Sequence, residues 1–359
     1  MSDPRTPGSR TDSGGATITP AAVEQPSHGS TATEPAGADA SATPRSARRR
    51  GVWTTWAQRY GALAALVALF IYNAIDTPFF LTQQSLVFVL LRQAAPIVIV
   101  AVGMAIVIGT AGIDLSVGSV MAIAGQVGAT LVLHDQPFLL AIIAALLVAG
   151  VCGVFNGTLV ARFGVQPIIA TLILFIAGRG IAQLITGGAL QPLANPDFQW
   201  IGLGRPFGIP AQIIVAFVVA LVAWLIMRLT VFGRHVLAVG GNETASRLAG
   251  VPAARVKLLA YVTSSVLAGL VGLIAVSAVS ASDANNTGVG MELDAIAAVA
   301  VAGIPLTGGK VNIWGAVVGA VLLKLLQNTL ITHGITKEVA QMIEGGVIVL
   351  ALWLQRHEA

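Results

Sequence analysis

The sequence predicts an all-α, polytopic integral membrane protein of about ten transmembrane helices, with both termini in the cytoplasm. Three observations carry this expectation. Of 359 residues only 10% are charged and 55% are hydrophobic, whereas a soluble domain carries roughly 25% charged residues. Mean hydropathy is accordingly high, at +0.83. Ten apolar stretches then reach or approach the ~20 residues that cross a bilayer as helix, and the basic residues between them favour alternate breaks. A cytosolic enzyme is excluded by this composition. A secreted disulfide scaffold is excluded by the single cysteine, Cys152.

Residues 1–50 are a separate region, dominated by Ser, Thr, Pro, Ala and Gly without helical or strand periodicity. Such a segment buries too little apolar surface to offset the entropy of ordering, so a disordered cytoplasmic tail is expected. Residues 51–359 form the membrane domain. Arg45, Arg48, Arg49 and Arg50 precede the first apolar run and hold the tail inside by the positive-inside rule. Contact with anionic membrane lipid is a compatible minor role for them. The apolar run begins about sixty residues in and lacks a small-residue cleavage site, which argues against a signal peptide.

The expected spans are 61–75, 86–110, 116–133, 138–160 and 165–186, then 211–231, 258–281, 293–304, 313–331 and 339–354. The first and eighth are short and must extend into their flanks. Pro96, Gly103, Gly109 and Gly112 along the second predict a kinked or interrupted helix, which transporters use where backbone lines a cavity. In the fourth, Gly150, Gly153 and Gly157 predict close helix packing, because lipid is as apolar as leucine and small residues let backbones approach. The ninth and tenth form an antiparallel hairpin turning near Gly334.

With the N-terminus inside, the inner breaks hold Arg162, Arg228, Arg234, Arg247, Arg255, Lys257, Lys310 and Arg356. The outer breaks hold only Arg205 and Lys337 as cations, with Asp76, Asp135, Asp197 and Asp283. That asymmetry orients the chain. It also accounts for the net charge of +4 without nucleic-acid binding.

No catalytic set is visible. Gly309-Lys310 ends like a phosphate-binding loop, but Ile304 and Val311 stand where that motif needs Gly and Ser or Thr. Gly202-Leu-Gly204 follows no strand and reads as a turn. His28, His134, His235, His333 and His357 are scattered and gather no metal-ligating neighbours. No cofactor and no metal are expected.

Three segments stand out. Gly112-Ile-Asp114-Leu-Ser116-Val-Gly118-Ser119 lies at the inner break between the second and third spans. Asp114 or Ser116 can cap the next helix, so the segment is either a helical elbow or part of a substrate path. The long inner connection 232–256 predicts a short amphipathic helix on the membrane face. Asn242 is a good N-cap, Glu243 suits the helix start, and Gly250 suits the stop; the helix is a plain surface element or a docking element. Gly288-Val-Gly-Met-Glu292-Leu-Asp294 puts two acids at the outer mouth of the short eighth span. They line a route or cap a helix.

With these segments placed, the chain resembles the permease subunits of ribose-type ATP-binding-cassette (ABC) sugar importers, the family that includes xylose, arabinose, galactoside and autoinducer-2 permeases. The resemblance is carried by Ala101-Val-Gly-Met-Ala-Ile-Val-Ile, by Gly112–Ser119, by Gly233-Arg-His with Gly240-Gly-Asn-Glu243, and by Glu292-Leu-Asp-Ala-Ile-Ala-Ala298. It implies a pore of two permeases (a second copy or a paralogue), ABC ATPase subunits on the cytoplasmic side and an external sugar-binding protein delivering a monosaccharide. ATP is then bound by the partner subunits. The resemblance also makes Asn242, Glu243, Thr244, Ala245, Arg247 and Leu248 candidates for a helix that docks in the ATPase. Where relatives commonly show Gly-Gly-Thr-Ser-Leu-Ser-Gly-Gly, this chain reads Ala302-Gly-Ile-Pro-Leu-Thr-Gly-Gly309, which leaves the particular sugar open.

Lys324 and Glu344 fall inside the ninth and tenth spans, ten residues on either side of Gly334. At 1.5 Å per residue both sit about 15 Å from the turn. Charges inside a bilayer find partners, so an intramembrane Lys324–Glu344 ion pair is expected; the alternative is that each faces a subunit interface or the pore. Arg179 and Arg92 are also intramembrane, and Arg92 can snorkel. The rival from another class is a secondary transporter in which Asp114, Glu292 or Glu344 relays protons. A second rival keeps the ABC machinery but carries nucleosides or branched-chain amino acids.

Overall fold

Each of the ten apolar stretches folds as helix in a computed structural model, which describes residues 45–356. Residues 1–44, most of the expected tail, lie outside the described residues. The helices are α1 (Arg45–Asp76), α2 (Arg92–Gly109), α3 (Val117–Leu133), α4 (Phe138–Ala161), α5 (Pro167–Thr186), α6 (Pro196–Leu203) and α7 (Ala211–Leu229). Then follow α8 (Val231–Gly241), α9 (Glu243–Leu248), α10 (Ala253–Val279), α11 (Met291–Val301), α12 (Ile313–Thr332) and α13 (Lys337–Arg356). Among the described residues, six helical stretches are long and apolar enough to cross a membrane: Gln84–Gly109, α4, α5, α7, α10 and α12. The first of the expected spans appears as the shorter apolar segment Gly61–Asp76 and the third as α3.

The interruption expected along the second span lies at its start. Gln84–Leu91 is wound as π-helix, and α2 then runs unbroken through Pro96 to Gly109. The widened turns lie immediately upstream of Pro96, whose ring crowds the carbonyl four residues back and whose nitrogen donates nothing to the ladder.

α10 is the central post, packed by α2, α3, α4 and α6. Small residues set these contacts. A Cβ on Gly153 of α4 would lie 2.6 Å from Val262 Cα, and one on Gly272 of α10 would lie 2.1 Å from the Met121 carbonyl oxygen of α3. Gly150 makes no such approach, with its nearest contact at 3.8 Å.

Behind α10 the chain does something the hydropathy did not foretell. Residues 281–290 are irregular apart from a two-residue ladder, in which Gln191 pairs with Ser282 and Pro192 with Ala281. They also run back down alongside α3. Ser282 donates to Gln126 Oε1, and Gln126 Nε2 donates to Thr287 Oγ1 at 3.4 Å. Gly288 and Glu292 then lie against Gly118, at the start of α3. From Gln126 to Gly118 is eight residues, about 12 Å of helix. The 11 residues of α11 therefore begin inside the bundle and need cover only about half of a ~30 Å hydrocarbon core. This corrects the expected placement of Glu292 and Asp294 at an outer mouth, and it explains the short eighth span.

α1 is pinned to the α12–α13 turn by polar contacts. Asn73 Nδ2 donates to Thr329 Oγ1 at 2.7 Å, and the His333 ring spans Asp76 Oδ2 at 2.8 Å and the Thr329 carbonyl at 2.7 Å. The Asp76 carboxylate, then the Thr329 carbonyl, raise the His333 pKa above its ordinary value. A raised pKa means that the contribution is complete below the unfolded value near 6.5 and is lost as pH rises through the folded one. Detergent-solubilised protein should therefore lose thermal stability as pH rises above about 6.5, and His333→Gln should flatten that dependence. An unchanged slope in the variant would remove His333 as its cause.

Candidate functional site

Two breaks in the helical ladder meet inside the bundle. The first is the turn from α2 to α3. Its Asp114 carboxylate is fully buried: Oδ1 accepts the Ser116 N–H at 3.0 Å and the Ser116 hydroxyl at 2.6 Å, and Oδ2 accepts the Ser264 hydroxyl of α10 at 3.0 Å. Asn156 of α4 donates to Ser116 Oγ at 2.7 Å. Thr171 of α5 accepts the Leu115 N–H at 3.1 Å, and Ser119 donates to the Phe175 carbonyl at 2.5 Å. The turn is thus nailed to α4, α5 and α10 by side chains. Neither Asp114 nor Ser116 caps α3 as expected. Ser116 sits at the N-cap but its oxygen accepts no backbone N–H from the helix, because its hydroxyl is committed to Asp114. The acid stabilises the turn instead.

The second break is 281–290. Arg179 of α5 donates through Nη1 to the carbonyls of Ala284 at 3.1 Å and Thr287 at 2.6 Å, supplying the partners that a regular helix would have provided. The two breaks touch at one point. A Cβ on Gly118 would fall 2.3 Å from the Gly288 carbonyl oxygen and 2.4 Å from Glu292 Oε2. Only a hydrogen fits there. Glu292 is 6% exposed, and its Oε2, together with Asn156 Oδ1 and Ser265 Oγ, is buried without a hydrogen-bond partner among the described residues. Gly112 packs against the Tyr261 hydroxyl of α10.

Asp294 turns away from this junction. It shares an electrostatic neighbourhood with Lys324 of α12 and Glu344 of α13. The expected Lys324–Glu344 contact is not formed: Lys324 Nζ donates to Gln327 Oε1 at 2.6 Å, and no ion pair within 4.0 Å joins it to Glu344 among the described residues. Two acids lie near Lys324, with Lys337 as a second cation close to Asp294, and the neighbouring amide on its own helix takes the short bond from Lys324. Sequence reasoning overlooked Asp294 here, because only the docking of α11 on α12 brings it near.

The third expected segment forms α9. Asn242 caps it, accepting the Ala245 N–H at 2.9 Å. The stop at Gly250 (φ +83) is made by Gly250 N–H to Arg247 O at 3.0 Å and Val251 N–H to Ser246 O at 2.9 Å, a Schellman arrangement. Glu243 receives Arg247 at 2.6 Å and, more closely, Lys257 of α10. Burial pushes the Glu243 pKa up, but the Lys257 and Arg247 charges outweigh it and hold the carboxyl below the ordinary range. Thr244, Ala245 and Arg247 are exposed, and Leu248 is 86% exposed.

Sequence reasoning missed α8, which leads into α9 and packs on the membrane bundle through the buried Val236 and Val239, clustered with Ala253 and Val256 of α10, and at its end through bare backbone. A Cβ on Gly240 would meet the Gly109 carbonyl oxygen at 1.9 Å and the Gly309 nitrogen at 2.5 Å, and Gly309 N–H donates to Gly109 O at 3.2 Å. The end of α2, the end of α8 and the α11–α12 loop meet there, backbone on backbone.

Two outcomes follow from these contacts. Gly118→Ala should cost about 1–3 kcal/mol of overpacking and reduce folded yield, whereas Gly180→Ala, whose Cβ meets nothing within 4 Å, should leave yield unchanged; equal yields of the two by fluorescence-detected size exclusion would refute the crowding at Gly118. Lys324→Met should lower yield, and adding Asp294→Asn should restore it at least as well as adding Glu344→Gln. Rescue by Glu344→Gln alone would reinstate a simple pair between α12 and α13.

The chain has curated relatives along most of its length. It is 36% identical over 315 residues to the galactofuranose transporter permease protein of Escherichia coli K12, covering 86% of this chain and 92% of the relative. It is 38% identical over 309 residues to the ribose import permease protein of the same organism, covering 85% and 95%. It is 33% identical over 319 residues to the L-arabinose ABC transporter permease protein of Azospirillum brasilense, covering 89% and 93%. No solved structure matches it. The family model described as "Branched-chain amino acid transport system / permease component" matches residues 86–352, an interval that holds both helical breaks, the capped surface helix and the glycine contact beneath it, and the chain belongs to that family of membrane permeases.

Proposed function

We propose that the chain is the membrane-spanning permease subunit of an ABC importer, carrying a monosaccharide of the pentose or hexose class delivered by an external binding protein. Separate ATPase subunits drive it, bind the ATP, and engage α9 from the cytoplasm. Two permeases, identical or paralogous, form the pore. In this arrangement all ten apolar stretches traverse or enter the bilayer and both termini are cytoplasmic, in keeping with the placement of the basic residues. The chain itself breaks no bonds.

The observation that carries the reading is the form of α9. Six residues cannot be stable alone, yet this helix is capped at both ends, tied by Glu243 to Lys257 of α10, and leaves Leu248 open to solvent. So rigid a projection with an uncovered apolar tip suits transmission of force from a partner. ATP-driven closure of the ATPases biases the paired permeases between two packings, and α9 is where that bias is applied. Support for the cargo comes from the relatives, whose names give ribose, galactofuranose and L-arabinose.

The test is reconstitution with the ATPase and binding protein. Leu248→Arg should abolish ATP-dependent uptake of labelled sugar while leaving the permease folded, and Asn242→Ala, which loses a cap worth about 1 kcal/mol, should weaken uptake in part. Uptake that survives Leu248→Arg with the ATPase still required would overturn the role of α9. Uptake that stops on dissipating the membrane potential and not on omitting the ATPase would favour the proton-coupled rival.

A further inference from the structure

The exposed face of α5 is not uniformly apolar. Leu172, Ile176, Arg179 and Gln183 follow one another at intervals of four, three and four residues and so form one stripe. Its part nearer Pro167 is hydrocarbon: Leu172 is 40% and Ile176 66% exposed. Its part nearer Thr186 is polar. Gln183 is exposed and donates to Asn285 Oδ1 at 2.9 Å, while Asn285 donates to the Gly188 carbonyl at 3.2 Å. Asn286 and the half-buried Asp283 carboxylate adjoin it, bonded at 2.7 Å. Arg179 is half-buried. Both hydrogens of its Nη1 serve the carbonyls of Ala284 and Thr287, leaving Nη2 and Nε without hydrogen-bond partners among the described residues.

Arg179 lies seven residues, about 10 Å, from the Thr186 end of a helix that spans the bilayer, and Gln183 about 4–5 Å from it. Guanidinium N–H groups and a carboxamide at that depth cannot face acyl chains, because each unmet donor there costs several kcal/mol. Such groups must be met by water or by other polar groups. The chemistry of the stripe also selects among aqueous solutes. Fixed guanidinium donors, carboxamides that both donate and accept, and the Asp283 acceptor match the paired donor and acceptor character of adjacent hydroxyls. Ile176 and Leu184, the latter 83% exposed, offer an apolar flank to the C–H face of a sugar ring.

Resting on the importer reading, we propose that the polar end of the α5 stripe, Arg179 and Gln183 with Asn285 of the irregular 281–290 segment, lines the aqueous sugar pathway and contacts the polyhydroxylated solute. Arg179 has a double position: it holds the break in the α10–α11 connection with one nitrogen and presents the rest of its guanidinium to the path. A sugar that draws on those free N–H groups pulls on the same side chain that fixes residues 284 and 287.

The experiment exploits the single native cysteine, Cys152, which is buried. Gly180→Cys places a thiol next to Arg179 in open space, and Val151→Cys places one on the 68% exposed surface of α4, which carries no such polar group. The full complex in proteoliposomes is treated with a charged, membrane-impermeant methanethiosulfonate. Modification of Gly180→Cys at least about tenfold faster than of Val151→Cys is expected, because a charged reagent does not enter hydrocarbon. Modification should also block uptake of labelled D-ribose, L-arabinose or fructose, whichever the complex carries, and Ala177→Cys, also exposed on α5, should behave alike if Gly180→Cys folds poorly. Equal slow rates at both positions, or complete modification with uptake intact, would overturn the proposal. Thiol rates are measured without ATP, so that result is distinct from failure of the importer reading, which shows as uptake independent of the ATPase.

Discussion

A bilayer has no water to lend to an unpaired N–H or C=O, and the architecture of this chain follows from that deficit. Helices satisfy their own backbone; the two places where the helical ladder is interrupted deep in the bundle do not. Each is repaired by side chains: the turn's own Asp114 with Asn156, Ser264 and Thr171 from other helices around the α2–α3 turn, and Arg179 and Gln126 around residues 281–290. The repairs come from α3, α4, α5 and α10, so the breaks also bind the bundle together. Replacing regular helix by this polar masonry costs stability. In return the chain has irregular backbone at depth, where a rigid helix would have presented only side chains to a solute.

What could be read from the sequence was local. The Asn242 cap, the Gly250 stop and the small residues Gly153 and Gly157 all depend on chemistry within a few residues or on the general need for close packing in lipid, and the structure has them in those roles. Hydropathy likewise located ten apolar segments within a few residues of their helices. It could not say that the eighth starts inside the bundle, because periodicity carries no depth. Nor could it show that Ser116 spends its hydroxyl on Asp114, or that Lys324 has Asp294 for a neighbour. Those facts depend on how α3, α10, α11 and α12 dock, and docking here is governed by glycines whose signal is the same wherever they occur.

The charged groups divide by the same logic. On the surface, Glu243 has two cations within reach and serves to fix a short helix, a task for which its modest net energy suffices. Within the bundle, Asp294, Lys324 and Glu344 share one neighbourhood, with Lys337 at its edge. Charges gathered there without a direct ion pair among the described residues give the α11–α13 region a reason to respond to whatever approaches it, whether a second permease or a change in packing.

The contact of Gly240, Gly109 and Gly309 has a mechanical corollary. Side chains at a bearing surface act as springs: they change rotamer and absorb small displacements before the backbone feels them. At Gly240 that compliance is missing, although Val236 and Val311 pack beside it against Gly109, so a shift of α8 by a fraction of an ångström reaches the foot of α2 and the loop that launches α12 through backbone contact. Diversification of the cytoplasmic surface to suit different motors would then be free at Leu248 or Thr244, while the bare footing underneath tolerates no ornament at all.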